Sequence, residues 1–200
     1  MRLAYADPPY PGKAHLYPEN TEVDHAELIE RLCEYDGWAL STDETNLAYV
    51  LSLCPPRTRV LAWCRTNAPP MLPYPWASWE PVLVRPARAR DVDPVRSYLV
   101  DPAPLGTNQR DGLTGQKSSA FCEWVFRAMG AQSGDLLDDI FPGTGIASLT
   151  FEAMQRQTTI AVPLNSRRYQ DSLPGIAPPK PVRKIRDERR RRFAAGVLTK

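Results

Sequence analysis

The chain has 200 residues, 42% of them hydrophobic and 24% charged, with a formal net charge of +2. That length and apolar share suit one globular domain with a full core, and no stretch approaches the roughly 18 apolar residues of a membrane span or the apolar region of a signal peptide, so an uncleaved cytoplasmic protein is expected. The charge is uneven: residues 180–200 carry nine Lys/Arg and two acids, a net of +7, against −5 for the remainder, which points to a polyanionic partner held by a basic tail.

In chain order, Met1 to Ala6 reads as a short buried strand, because Leu3, Ala4, Tyr5 and Ala6 are apolar and Pro8-Pro9 forbids its continuation. Residues 11–22 are polar and suit a mobile flap. Asp24, with Glu27 three residues on, caps a helix whose buried stripe is Leu28, Ile29 and Leu32. Asp36-Gly37 turns into a strand at Trp38 to Thr42. A helix from Glu44 to Leu53 follows, burying Leu47, Val50 and Leu51 and ended by Pro55-Pro56, and Val60 to Cys64 is the next buried strand. Residues 65–78 are rich in proline and aromatics, and Glu80 to Arg85 resumes as a strand. So early a return from 60–64 predicts an antiparallel hairpin.

Residues 86–111 lack strong periodicity and carry Arg88, Arg90, Arg96 and Arg110. Turn residues from Gly112 then lead to a helix capped by Ser118 or Ser119, with Phe121, Trp124, Val125 and Met129 at helical spacing and Gly130 at its end. Leu136, Leu137, Ile140 and Phe141 read as a strand. Gly143 and Gly145 permit a tight turn into a helix from Ile146 to about Arg156, and Thr158 to Val162 reads as a sixth strand. Helix–strand alternation of this kind demands a mostly parallel sheet. Cys33, Cys54, Cys64 and Cys122 show no Cys-x-x-Cys pair, and His15 and His25 do not join them in a zinc-like spacing, so reduced thiols and no metal are expected.

Two loops carry chemistry. Asp7-Pro8-Pro9-Tyr10 sits where a strand stops, the usual place for a site in an open α/β sheet. Asp7 offers an anionic acceptor, Pro8 an exposed carbonyl and Tyr10 a flat face. Together they suit the two hydrogens of an exocyclic amine and the heterocycle that carries it. The second loop, strand to glycine turn to helix, lets backbone N–H groups approach a ligand and presents a helix N-terminus to negative charge. It is not a Walker loop, since no Lys-Ser/Thr follows the glycines, and it lacks the third glycine of the dinucleotide fingerprint.

Asp7-Pro8-Pro9-Tyr10, taken with Asp139-x-Phe141-x-Gly143-Thr144-Gly145, resembles the S-adenosylmethionine-dependent amino-methyltransferases that act on adenine N6 or cytosine N4. The order, catalytic loop first and cofactor loop last, is similar to the permuted β-type DNA methyltransferases, closest to small phage-type DNA methylases. The resemblance implies an α/β, Rossmann-like methyltransferase fold over residues 1–175, mostly parallel and flanked by helices, with an antiparallel hairpin at one edge. Residues 86–111 would be a small target-recognition insertion and 176–200 a basic Pro/Arg-rich tail. It also implies S-adenosylmethionine as cofactor, a catalytic set of Asp7, Pro8, Pro9 and Tyr10, and methyl transfer to DNA, with adenine N6 favoured over cytosine N4.

The cofactor side would comprise Ala6, Asp7, Lys117, Asp139, Phe141, Pro142, Gly143, Thr144, Gly145 and Asn165. Tyr74, Trp76, Arg88, Arg90, Arg189, Arg190, Arg191 and Arg192 are the candidates for nucleic-acid contact through stacking and charge. The chain departs from the family pattern twice. Ser118 replaces the proline of the Gly-x-Lys-Pro turn that holds Lys117, and the acid that normally follows the strand after the glycine helix is absent, with Asn165 nearest. Two alternatives stay open: a non-catalytic DNA-binding or partner module of the same fold, and an RNA base amino-methyltransferase. A homodimer or a companion specificity protein is open as well.

Overall fold

Leu3 to Ala6 is an apolar run without alternation, which suits a strand covered on both faces. In the computed structural model it forms β1 (Arg2–Ala6), buried from Leu3 onward. The structure describes residues 1–17, 20–68, 75, 77–89, 94–103 and 116–160, all within one unit, Met1–Ala161; the second unit, Val162–Lys200, lies outside the described residues. Further strands are β2 (Gly37–Ser41), β3 (Arg59–Cys64), β4 (Trp79–Arg85), β5 (Tyr98–Val100) and β6 (Leu136–Asp139). They form one sheet in the order β5-β3-β4-β2-β1-β6. β1 pairs in parallel with β2 on one side and β6 on the other, with Ala6 opposite Leu40 and Tyr5 opposite Asp139.

The helices are α1 (His25–Leu32), α2 (Leu47–Leu53), α3 (Ser119–Met129) and α4 (Ile146–Ile160). Local chemistry sets their ends. The Asp24 carboxylate accepts from the Ala26 and Glu27 amides at 2.9 and 3.1 Å, and the Ser118 hydroxyl accepts from the Phe121 amide at 3.0 Å. Gly130 closes α3 in the left-handed region, at φ 82°. α2 begins at Leu47 rather than Glu44, because Asp43 accepts the Asn46 amide and forms a turn there.

The pleat of β1 divides the core between two helix layers. Leu3 and Tyr5 pack with Phe121, Val125, Phe126 and Met129 of α3 and Ala147 and Phe151 of α4. Ala4 and Ala6 pack with Leu28, Ile29 and Leu32 of α1 and Val50 of α2. Helices therefore cover both faces of the sheet.

Three expectations change in detail. The β3–β4 hairpin is present, but β4 lies inside the sheet, antiparallel to both β2 and β3. The edge strand on that side is β5, parallel to β3, drawn from the region expected to be an insertion. Thr158 to Ile160, expected to open a sixth strand, instead continue α4, since no glycine or proline occurs between Gly145 and Pro163 to stop its hydrogen-bond ladder; Ala161 and Val162 lie outside the described residues.

Arg88, a candidate for nucleic-acid contact, has its guanidinium engaged within the fold. Its guanidinium grips Asp135 through two bonds of 2.7 and 2.9 Å and also donates to the Gly130 carbonyl at 2.9 Å. Asp135 is nearly buried. Burial opposes its charge, but Arg88, the Met1 ammonium at 2.8 Å and the Gln132 amide together hold its carboxyl below the usual range. The pair stands where β6 begins, at the end of the sheet opposite Asp7, so the charge of Arg88 is engaged by Asp135 far from the Asp7 loop.

Two outcomes follow for stability. A Cβ on Gly37 would lie 2.5 Å from the Ala87 backbone nitrogen, so Gly37→Ala destabilises by about 1–3 kcal/mol, read from the urea midpoint. Arg88→Met removes one of the two cations on a buried carboxylate and leaves the Met1 ammonium at 2.8 Å, costing about 1–3 kcal/mol in the same titration, while nucleic-acid affinity of the folded protein is unchanged.

Candidate active site

Ligands of open α/β sheets sit beyond the carboxyl ends of the strands, where the strand order reverses. Here that point is β1, flanked by β2 and β6. The carboxyl ends of β1, β2, β3 and β6 and the amino end of β4 share one edge of the sheet, which gathers Asp7, Thr42, Arg65, Glu80 and Asp139. Lys117 arrives from the turn before α3. The Ile140 amide donates to the Tyr5 carbonyl at 2.9 Å, so the strand that delivers Asp7 and the strand that leads to the glycine turn are hydrogen-bonded up to their last residues.

The centre of the site is the Lys117 ammonium, buried at 6% exposure. Its Nζ lies 3.1 Å from Asp7 Oδ1, 3.1 Å from Glu80 Oε2 and 3.2 Å from the Tyr10 hydroxyl oxygen. Tyr10 in turn donates to Glu80 Oε2 at 3.1 Å, and Arg65 pairs with Glu80 Oε1 at 3.1 Å. The rings of Tyr10, Trp63 and Phe121 surround the ammonium at 5.6–5.8 Å from their centroids, within cation–π range. The charges alternate: Arg65, Glu80, Lys117, Asp7.

Electrostatics follow from this arrangement. Burial works against the Lys117 charge, but Asp7 and Glu80 more than compensate and lift it well above the ordinary lysine range. Glu80 is also opposed by burial, yet Lys117 and Arg65 hold it below the usual carboxylate value. Asp7 ends higher than usual: burial raises it, Lys117 pulls it back, and Glu80 and Asp139 push it up again. Burial, then Asp7 and Glu80, keep the Tyr10 hydroxyl protonated as a donor. Burial pushes the Cys122 thiol up to about 12, so this cysteine supplies no thiolate nucleophile near neutral pH.

The glycine turn stands beside this cluster. Gly143 and Gly145 adopt φ of 47° and 75°, and the Gly145 amide closes the turn on the Pro142 carbonyl at 2.6 Å. A Cβ on Gly145 would meet nothing within 4 Å, and one on Gly143 only the Phe141 carbonyl oxygen at 3.9 Å. No described residue fills this space. Asp139 Oδ2 accepts from the Ser148 hydroxyl at 3.1 Å, whereas its Oδ1 is buried with no partner among the described residues. An unpartnered carboxylate oxygen, open glycines and the first turn of a 15-residue helix fit a small ligand bearing hydroxyl or amine donors.

The structure thus brings Ala6, Asp7, Pro8, Pro9 and Tyr10 to the same edge as Asp139, Phe141, Pro142, Gly143, Thr144 and Gly145. Lys117 differs from expectation, since its ammonium faces the Asp7 loop rather than the glycine turn. The segment expected to be a flap is fastened. Ala14 is buried in a one-turn 3-10 helix, Glu22 accepts from the Gly12 and Ala14 amides, and Asn46 donates to the Pro11 carbonyl. Glu80 and Arg65 are functional candidates that sequence reasoning missed. The available signal was a carboxylate at the head of the apolar run Pro81-Val-Leu-Val84, a position that calls for a partner. Tyr74, Trp76, Arg90, Asn165 and Arg189 to Arg192 lie outside the described residues.

No protein-family model matches the chain, and no curated protein matches it. Among solved structures it is similar to the M1.HpyAVI–SAM complex, with a TM-score of 0.51, 16% identity and 77% of each chain covered. It is also similar to M1.HpyAVI, with a TM-score of 0.52, 16% identity and coverage of 77% of this chain and 76% of the other. At that identity the likeness is one of architecture, and with the helix-covered, mostly parallel sheet it shows that the chain has the Rossmann-like methyltransferase fold.

Proposed function

We propose that this protein transfers a methyl group from S-adenosylmethionine to the exocyclic amine of a base in DNA, with adenine N6 ahead of cytosine N4. The observation that carries the proposal is the pairing of β1 with β6, which sets the Asp7–Tyr10 loop beside the Gly143–Gly145 turn. A neighbour of the same fold bound to SAM supports the choice of cofactor. So do the open glycines, the free Asp139 oxygen and the start of α4, which would hold it; Asn165 is proposed to contact it too.

S-adenosylmethionine supplies an electrophilic methyl group on a sulfonium. The chain's part is to make a poor nucleophile react. The lone pair of a nucleobase amine is conjugated with its ring, so the nitrogen must become pyramidal before it can attack. Asp7 and the Pro8 carbonyl, by accepting its two hydrogens, favour that geometry, and the carboxylate offsets the positive charge that grows on nitrogen. The raised affinity of Asp7 for protons suits it to take up the one released when the new C–N bond forms. Tyr10 stacks on the extruded base and offsets part of the few kcal/mol that unstacking costs. Arg90 and the Arg189–Arg192 run, with Tyr74 and Trp76, are proposed to hold the nucleic acid, in line with the basic character of residues 180–200.

Incubation with unmethylated DNA and S-adenosylmethionine, followed by nucleoside mass spectrometry, is expected to yield N6-methyladenine. N4-methylcytosine would reassign the base, and the absence of any methylated nucleoside would refute the reading. Asp7→Ala is expected to lower turnover at least 100-fold, the size of effect seen when one transition-state partner is lost, while calorimetry finds cofactor affinity within a few-fold of the parent. Gly145→Ala strains a left-handed residue by about 1–2 kcal/mol while its Cβ meets nothing within 4 Å, so thermal unfolding shifts modestly, yet cofactor affinity falls tenfold or more because the methyl intrudes on the cradle.

A further inference from the structure

Three hydrogen-bond donors are available to a lysine ammonium, and Lys117 has three acceptors in reach: Asp7 Oδ1, Glu80 Oε2 and the Tyr10 oxygen. The ammonium is therefore saturated by the protein. Asp7 is not. Its Oδ1 faces Lys117, no described residue hydrogen-bonds its Oδ2, and its side chain is still 23% exposed. Tyr10 is held at both ends, through its backbone between Pro9 and Pro11 and through its hydroxyl on Glu80 and Lys117. Glu80 supplies the anchor for both, and Arg65 steadies Glu80 from its other oxygen.

We infer that Glu80 and Lys117 are the positioning residues of the amine-binding loop: Lys117 occupies one oxygen of Asp7 so that the other faces the incoming amine, and Glu80 fixes Lys117 and the plane of the Tyr10 ring. The inference rests on the methyl-transfer reading above. It needs no contact between either residue and the substrate. Lys117 also sets the ionisation of Asp7. The groups facing Asp7 are Lys117 from the turn before α3, Glu80 from β4, Asp139 from β6, the Tyr5, Tyr10 and Tyr17 hydroxyls and the Cys122 thiol. Only Lys117 among them is a cation. Without it, Glu80 keeps the support of Arg65, and Asp7 is the carboxylate that takes a proton. A protonated Asp7 no longer opposes the positive charge that forms on the amine. Activity therefore disappears as pH falls through the Asp7 value, and losing Lys117 moves that value upward.

The test is methyl transfer by the full chain measured from about pH 5 to 9, with kcat and KM for DNA resolved separately. The variants are Lys117→Met, Lys117→Arg, Glu80→Gln, Tyr10→Phe and the double Glu80→Gln/Tyr10→Phe. Lys117→Met is expected to move the acid limb of kcat/KM up by about 1–3 pH units, the span that a neighbouring cation imposes on a carboxylate, and Lys117→Arg to return it close to the parent. Glu80→Gln and Tyr10→Phe each raise the KM for DNA several-fold, and the double variant is no worse than the poorer single one, because both remove the same tether. An acid limb that stays put in Lys117→Met overturns the role of Lys117, and additive effects of Glu80→Gln and Tyr10→Phe overturn that of Glu80. Should Lys117→Met fail to fold by thermal unfolding, an acid limb in Lys117→Arg displaced by more than one unit overturns the first arm instead. A parent protein that methylates no DNA refutes the methyl-transfer reading and this inference with it, whereas an active parent with unmoved variants defeats the inference alone.

Discussion

The backbone ladder between β1 and β6 is the constraint on which the site depends. Residues about 130 positions apart become neighbours because Arg2 to Tyr5 pair in parallel with Leu136 to Asp139. Parallel pairing makes both strands end on the same side, so the loop after each emerges at one edge. An antiparallel pair would have sent the two loops to opposite ends of the sheet. Strand direction, rather than any single side chain, decides that an acceptor carboxylate and a glycine cradle share a cavity. The Arg88–Asp135 pair fastens the beginning of β6 to the loop after β4 and to the end of α3, which steadies the ladder from its far end.

Buried charge is the second theme. A lone ammonium at the depth of Lys117 would be costly, as would a lone carboxylate at Glu80. Their alternation with Arg65 and Asp7 leaves the group neutral as a whole. The inward position of β4 makes this possible. Because it runs against its neighbours, its amino end delivers Glu80 to the edge where β1 and β3 deliver their carboxyl ends. One reversed strand thus places an acid between two bases. The arrangement also makes Asp7, of the two carboxylates, the one whose balance tilts toward protonation, which is what a transient proton acceptor requires.

Much of this was legible from residue order alone. β1 and its abrupt end, the Asp24 and Ser118 caps, the Gly130 stop and the glycine turn are local signals, each written in a few adjacent residues, and each occurs within a residue or two of its expected place. What could not be read depends on long-range pairing. Three residues, Tyr98 to Val100, become a strand only because β3 offers an open edge, and their own sequence carries too little pattern to announce it. Thr158 to Ile160 is β-branched and suggested a strand, but the helix already running met no breaker. The direction of the Lys117 side chain was equally hidden, since its partners Glu80 and Asp7 lie 37 and 110 positions away. Glu80 announces only that a carboxylate heads an apolar strand, not what it will meet.

The division of β1 between two helix layers has a consequence for accuracy. Ala4 and Ala6 face the layer of α1 and α2, while Leu3 and Tyr5 face that of α3 and α4. A shift of one residue would drive a phenol into a slot sized for a methyl group and leave a void where the ring had been. Mispairing is therefore penalised by volume, deep inside the protein, before it can displace the loop at the rim. Fidelity in the chemistry is borrowed from the contrast between alanine and tyrosine.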